Sequence, residues 1–179
     1  MNLGLDISTS NVGWCILDTS DNRLVDAGAI ELSKKKCIFE KCAAVRDHLT
    51  KLDKQYNITA ISIEENLQAF RPGFSSAKTI VTLARFNGMV TLICNDEFSI
   101  RPTFLNVNNA RKLAGLKIVR KSDISTKDQV LNFVKLKLPD FDWPTKTLKS
   151  GTRKGLVIPA SCCYDIADAY IIALASVGE

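Results

Sequence analysis

MNLGLDISTSNVGWCIL, residues 1–17, is the stretch that decides how this chain folds. Residues 2–8 read as a short buried strand. Side chains alternate along an extended chain, so Leu3, Leu5 and Ile7 share one face while Gly4 and Asp6 take the other. Residues 8–13 form a turn of small residues, and residues 13–17 resume as a second strand. The turn formers Asp18-Thr19-Ser20-Asp21-Asn22 then lead into a third strand over 23–30. Strands joined this closely form an antiparallel meander.

Beyond the meander the periodicity changes. Phe39, Cys42, Val45, Leu49 and Leu52 recur near helical spacing, which predicts a helix over 37–56. The β-branched run 58–64 (ITAISIE) predicts a strand buried on both faces. A second helix begins after Ser75 or Ser76 and runs to about 95, followed by a short strand over 102–107. Ser125 and Asp128 stand at capping-box spacing before a helix that ends near Pro139. Residues 140–159, broken by Pro144, Gly151, Gly155 and Pro159, read as loop. Ser161 caps a last helix over 162–176, apolar on every side and therefore packed against the sheet. The order β-β-β-α-β-α-β-α-α describes a single α/β domain over 1–179, with a basic loop insertion at about 145–159.

Composition narrows the class. The chain has 179 residues, 46% of them hydrophobic and 24% charged, which fits a globular domain and excludes wholesale disorder. No apolar run reaches the roughly 18 residues of a membrane helix, so no membrane partner is expected. The first residues carry Asp6 and no basic region, unlike a signal or transit peptide, so an intracellular, non-secreted protein is expected. Six cysteines without a C-x-x-C pair and a single histidine, His48, make no zinc set and read as reduced core thiols. The net charge of +5 is uneven. Residues 101–156 hold thirteen Lys and Arg against four Asp, a local +9 that fits a polyanionic partner and equally a solvated lysine-rich face.

Four acids stand out against this basic background. Asp6 lies inside a buried strand, where aspartate is disfavoured and must find a cation or donors. Glu64 ends the ITAISIE strand beside Glu65; alternation allows only one of them to point with Asp6. Asp165 and Asp168 are three apart on the apolar last helix, which places both carboxylates on one face. Taken singly, each has a bland explanation as a turn residue or a solvated stripe. Together they are hard oxygen ligands without imidazole or thiolate, the donor set of a two-cation Mg²⁺ site. Two such ions activate a water and stabilise the leaving oxygen in phosphodiester hydrolysis.

Those residues carry a family resemblance. Leu3-Gly4-Leu5-Asp6 with Thr9-Ser10-Asn11-Val12-Gly13-Trp14 resembles the first motif of RuvC-type nucleases of the RNase H-like superfamily. Ile63-Glu64-Glu65-Asn66 resembles their second motif, and Asp165-Ile166-Ala167-Asp168-Ala169 their closing D-x-x-D-A helix. Between them Ser76-Ala77-Lys78, Asn108-Asn109-Ala110-Arg111-Lys112 and Thr126-Lys127-Asp128-Gln129-Val130 follow in the same order, so the likeness covers nearly the whole chain. It implies an RNase H-like fold with a mixed five-stranded sheet and helices on both faces. It implies a resolvase of four-way (Holliday) DNA junctions, acting as a homodimer through the helix near 76–95 and cutting two strands symmetrically. Asp6, Glu64, Asp165 and Asp168 would be its metal ligands, for two Mg²⁺ with Mn²⁺ as a substitute. Lys112 and Lys127 would meet the phosphates, Lys127 as part of the catalytic set, with Arg111 beside Lys112 on the DNA.

Three departures from the family bear on specificity rather than chemistry. The turn Ile7-Ser8-Thr9-Ser10 lacks the Pro-Gly of many members. Leu67 stands where an aromatic wedge is common, leaving Phe70 or Phe74 to open the junction or merely to pack. The approach to the last helix is longer and more basic, and Lys146, Lys149, Arg153 and Lys154 read as a flexible phosphate-gripping loop or a disordered insertion. Three other readings compete: a general fork or flap endonuclease, a non-catalytic DNA-binding module, and a sugar kinase or actin-like ATPase sharing the opening strand. The last needs a second domain for which 179 residues leave no room.

Overall fold

The computed structural model describes residues 1–65 and 77–176. The meander forms as expected: β1 (Asn2–Ile7), β2 (Asn11–Leu17) and β3 (Leu24–Glu31) run antiparallel. Then come α1 (Ile38–Gln55) and β4 (Ala60–Glu64), which lies parallel to β1 with Leu5 opposite Ile63. α2 (Ala77–Phe98) ends where Ser99 turns into the left-handed region at φ 53°, and β5 (Thr103–Leu105) adds a parallel edge. The sheet is mixed and five-stranded in the order β3-β2-β1-β4-β5.

The alternation in β1 sorts the two faces. Leu3, Leu5 and Ile7 join Val12, Trp14 and Ile16 of β2 in one core, beneath Val45, Leu49 and Leu52 of α1 and Phe86, Val90 and Ile93 of α2. The opposite face is covered by α3 (Val107–Leu113), α4 (Thr126–Lys137) and α5 (Cys162–Ser176), with Cys15 and Leu17 packed against Ala169 and Ile172. α5 lies across β1 and β2 and is buried almost all round, which its apolar sequence requires.

Two glycines let α5 approach so closely. A Cβ on Gly4 would stand 2.4 Å from the Ala169 carbonyl oxygen, and one on Gly13 would stand 2.1 Å from that of Asp165. Both contacts are with backbone, so a side chain there must lift the helix off the sheet. Gly13→Ala is expected to cost about 3 kcal/mol or more by overpacking and to misplace Asp165. Thermal melts against the parent chain, with Gly88→Ala as an open-space control, check this. An unchanged melting temperature would refute the tight contact.

The structure corrects the sequence reading in three places. The strand expected over 102–107 stops at Leu105, and the seven-residue α3 follows at once, missed because it is shorter than a periodicity window. Its signal was Asn106, whose side chain caps the helix by accepting the Asn108 N–H at 3.0 Å. The stretch 140–159, read as loop, contains an antiparallel hairpin of β6 (Thr145–Thr147) and β7 (Val157–Pro159). Its strands are three residues each, too short to show alternation. The six cysteines are free, but Cys37 is exposed at the start of α1 rather than in the core.

Candidate active site

The four acids come together from distant points of the chain. Asp6 stands at the end of β1 on the α5 face, and its antiparallel partner is Gly13, so no side chain crowds it from β2. The parallel register that pairs Leu5 with Ile63 carries Asp6 up beside Glu64 on β4. Asp165 and Asp168 project from α5, held low by Gly4 and Gly13. Asp6, Glu64, Asp165 and Asp168 line one cavity of about 570 Å³, with Arg111 and Lys127.

Glu65 also lines this cavity, and its backbone N–H donates to the Leu105 carbonyl. Glu64 is shielded from water and feels the charge of Asp168. Asn87, a buried amide on α2, donates to the Glu64 carbonyl at 3.4 Å and fixes the strand end.

Each of the four carboxyls resists ionisation. Desolvation, then the charges of Glu64, Asp168 and Asp165, push Asp6 well above the ordinary carboxylate range. Burial and Asp168 raise Glu64 to about 7. Asp165 and Asp168 are raised as well, in each case chiefly by burial. Like charges forced together out of water behave this way. The pocket is a concentrated negative field short of positive charge.

Two cations already answer part of that need. Arg111, in the last turn of α3, forms an ion pair with Asp168 at 3.4 Å, both side chains being mostly buried. Its Nε is buried with no hydrogen-bond partner among the described residues. Lys127 lies exposed in the first turn of α4 at the cavity wall. Its place is set by Asp128, which accepts from Ser125 at the cap and from Tyr164 of α5 at 2.8 Å. Lys112 projects from the same helix as Arg111 but is exposed and does not line the cavity. Helical geometry explains the exchange, since adjacent residues point about 100° apart.

Asn11, which carried no expected role, donates to Asp165 at 3.1 Å from the start of β2. Its signal was position, five residues after Asp6 in the opening turn. Lys146, Lys149, Arg153 and Lys154 lie exposed on the hairpin, outside the cavity. Phe70 and Phe74 fall outside the described residues.

The donor set suits a hard divalent cation: four carboxyl groups, partly stripped of water, whose negative charge Arg111 and Lys127 answer only in part. Among the described residues no three His, Cys, Asp or Glu side chains already stand close enough to share one ion. Asp168 is engaged by Arg111 and Asp165 by Asn11. Ion binding therefore requires these side chains to change partners, which rotation about their own bonds allows.

No protein-family model matches the chain. Among curated proteins it is 32% identical over 135 residues to the crossover junction endodeoxyribonuclease RuvC of Aliarcobacter butzleri, covering 74% of this chain and 80% of that one. It is 37% identical over 68 residues to the enzyme of the same name from Ehrlichia ruminantium, covering 35% and 42% of the two chains. Among solved structures it superimposes on Thermus thermophilus RuvC in complex with a Holliday junction substrate, with TM-score 0.65, 15% identity and coverage of 97% and 90%. The yeast mitochondrial Holliday junction resolvase matches with TM-score 0.57 and 15% identity, covering 99% of this chain and 77% of that one. These last two likenesses show a shared fold, the RNase H-like one that the motif resemblance implied.

Proposed function

The chain belongs to the RuvC family of crossover junction endodeoxyribonucleases, and on that footing we propose that it resolves four-way DNA junctions by metal-dependent phosphodiester hydrolysis. The observation that carries this is the convergence of Asp6, Glu64, Asp165 and Asp168 with Arg111 and Lys127 in one cavity. A module that only bound DNA would gain nothing from four desolvated carboxylates turned toward phosphates.

Those four acids would hold two Mg²⁺, with Mn²⁺ as a substitute. Bound ions of this kind lower the pKa of an attacking water and stabilise the leaving 3′ oxygen. The chain's own residues do the rest. Lys127, anchored through Asp128 and Tyr164, offsets the charge of the scissile or neighbouring phosphate. Arg111 pairs with Asp168 and, once that carboxylate has another positive partner, can turn to phosphate. Asn11 orients the Asp165 carboxylate.

The whole chain acts as one catalytic domain and pairs with a second copy, so that two cavities cut two strands symmetrically. The exposed Val81 and Leu92 of α2 support this pairing. No helix among the described residues is long and apolar enough to cross a membrane, in keeping with action on DNA inside a cell.

Purified protein with Mg²⁺ should place paired, symmetric nicks in a four-way junction and leave linear duplex uncut on a denaturing gel. Equal cutting of three-way, flap and four-way substrates would replace this reading with a general branched-DNA endonuclease. Binding without cutting would replace it with a non-catalytic module.

A further inference from the structure

The hairpin of β6 and β7 carries charge of one sign only. Residues 145–159 hold Lys146, Lys149, Arg153 and Lys154 and no acid. All four are exposed, and none forms an ion pair among the described residues. Four like charges on one short arm repel each other, which favours a polyanion that brings them counter-charge.

This arm is ordered by backbone bonds rather than loose. Lys146 pairs with Ile158 across the two strands. Beyond the strands, Leu148 N–H donates to Leu156 O at 2.9 Å and Gly155 N–H returns to Leu148 O at 2.8 Å. Lys154 N–H closes on Gly151 O at 3.1 Å, and Gly151 and Gly155 take the φ values of +77° and +89° that this tip demands. The tip that carries Lys149, Arg153 and Lys154 is therefore a closed turn.

Its root is fixed beside the acidic cavity. Ala160 N–H and the Cys163 thiol both donate to the Pro144 carbonyl, clamping the base of the hairpin onto the first turn of α5. Ser161 and Tyr164, which follow immediately, line the cavity with Asp165. A rigid basic arm thus rises from the helix that carries two of the four acids.

We propose that this hairpin is a duplex clamp that grips the DNA backbone next to the cut site through Lys146, Lys149, Arg153 and Lys154. The inference rests on the reading of the cavity as a nuclease site, which supplies the polyanion; an acidic protein partner is the competing occupant. The clamp acts on phosphates and sugar, so it adds affinity without sequence preference.

The test is the salt dependence of binding, measured by fluorescence anisotropy with a labelled four-way junction and a linear duplex in EDTA, where no cutting occurs. For every phosphate that the protein no longer neutralises, the slope of log K against log salt falls by about 0.9. Replacing the four cations with Ala is expected to reduce the slope by about 3.6 on both DNAs and to weaken binding at least tenfold at about 0.15 M salt. A second variant with every Lys changed to Arg and Arg153→Lys should restore the slope, because charge rather than shape carries the effect. A slope unchanged in the Ala variant, with its melting temperature also unchanged, would overturn the clamp and leave the arm to an acidic protein. If the slope falls but the parent chain cuts no junction, the clamp stands and the nuclease reading fails.

Discussion

Asp6→Asn protein is expected to bind a four-way junction as tightly as the parent chain, or more tightly, while cutting it at least a thousandfold more slowly. Asp6 is the innermost of the four acids and feels the charges of the other three. Its amide replacement keeps the shape and one oxygen but removes the full negative charge that a divalent ion requires. A thousandfold corresponds to about 4 kcal/mol of lost transition-state stabilisation, within reach for a residue that touches the reacting centre. Affinity for DNA should not fall, because a neutral amide adds no negative charge to a pocket that faces phosphate. Asp168→Asn should behave alike, with Arg111 released from its partner. Single-turnover cleavage and binding in EDTA separate the two effects. Cutting at the parent rate would end the assignment of Asp6, and joint loss of binding and cutting would point to a folding defect instead.

The metal-free protein should lose stability as pH rises from about 5 to 8, the reverse of what most carboxylates produce. Glu64 is held at about 7 in the folded chain by burial and by Asp168. In the unfolded chain it titrates near 4.5, so the folded state carries the extra proton between these values. Stability is then full below pH 4.5 and is lost as pH climbs through 7, on the order of 3 kcal/mol for this group. His48, which burial holds below its ordinary 6.5, works in the opposite sense on the acid side of that value. Glu64→Gln isolates the effect: in EDTA it should match the parent at pH 5 and melt higher at pH 8.

Mg²⁺ should reverse the trend, raising the parent's melting temperature far more at pH 8 than at pH 5, since protons compete with it for the same oxygens. The Gln variant should lose much of that rise. Equal melting of parent and variant across the pH range would show that Glu64 is not under the strain assigned to it. A larger Mg²⁺ effect at pH 5 would show that the ion binds elsewhere.

The two halves of this picture were not equally legible in the amino-acid order. The meander, α1, β4, α2, α4 and α5 all announce themselves through local spacing, and so do the four acids, because an aspartate inside a buried strand or an apolar helix violates its own surroundings. Arg111 and Lys112 show the limit. Nothing in Asn-Asn-Ala-Arg-Lys says which of two adjacent cations turns inward until α3 is seen to begin at Val107 and pack on α5. The hairpin shows another, since three-residue strands separated by a long turn carry no period to read.

Alternation in seventeen residues, a helical period and misplaced acids suffice to set the class of fold and the chemistry, because each depends only on neighbours along the chain. Which carboxylates meet, which cation answers them, and where the basic arm is rooted depend on how segments far apart in the chain pack together. Gly4 and Gly13 decide that packing by letting α5 settle onto the sheet, and such closeness exists only once the layers have come together.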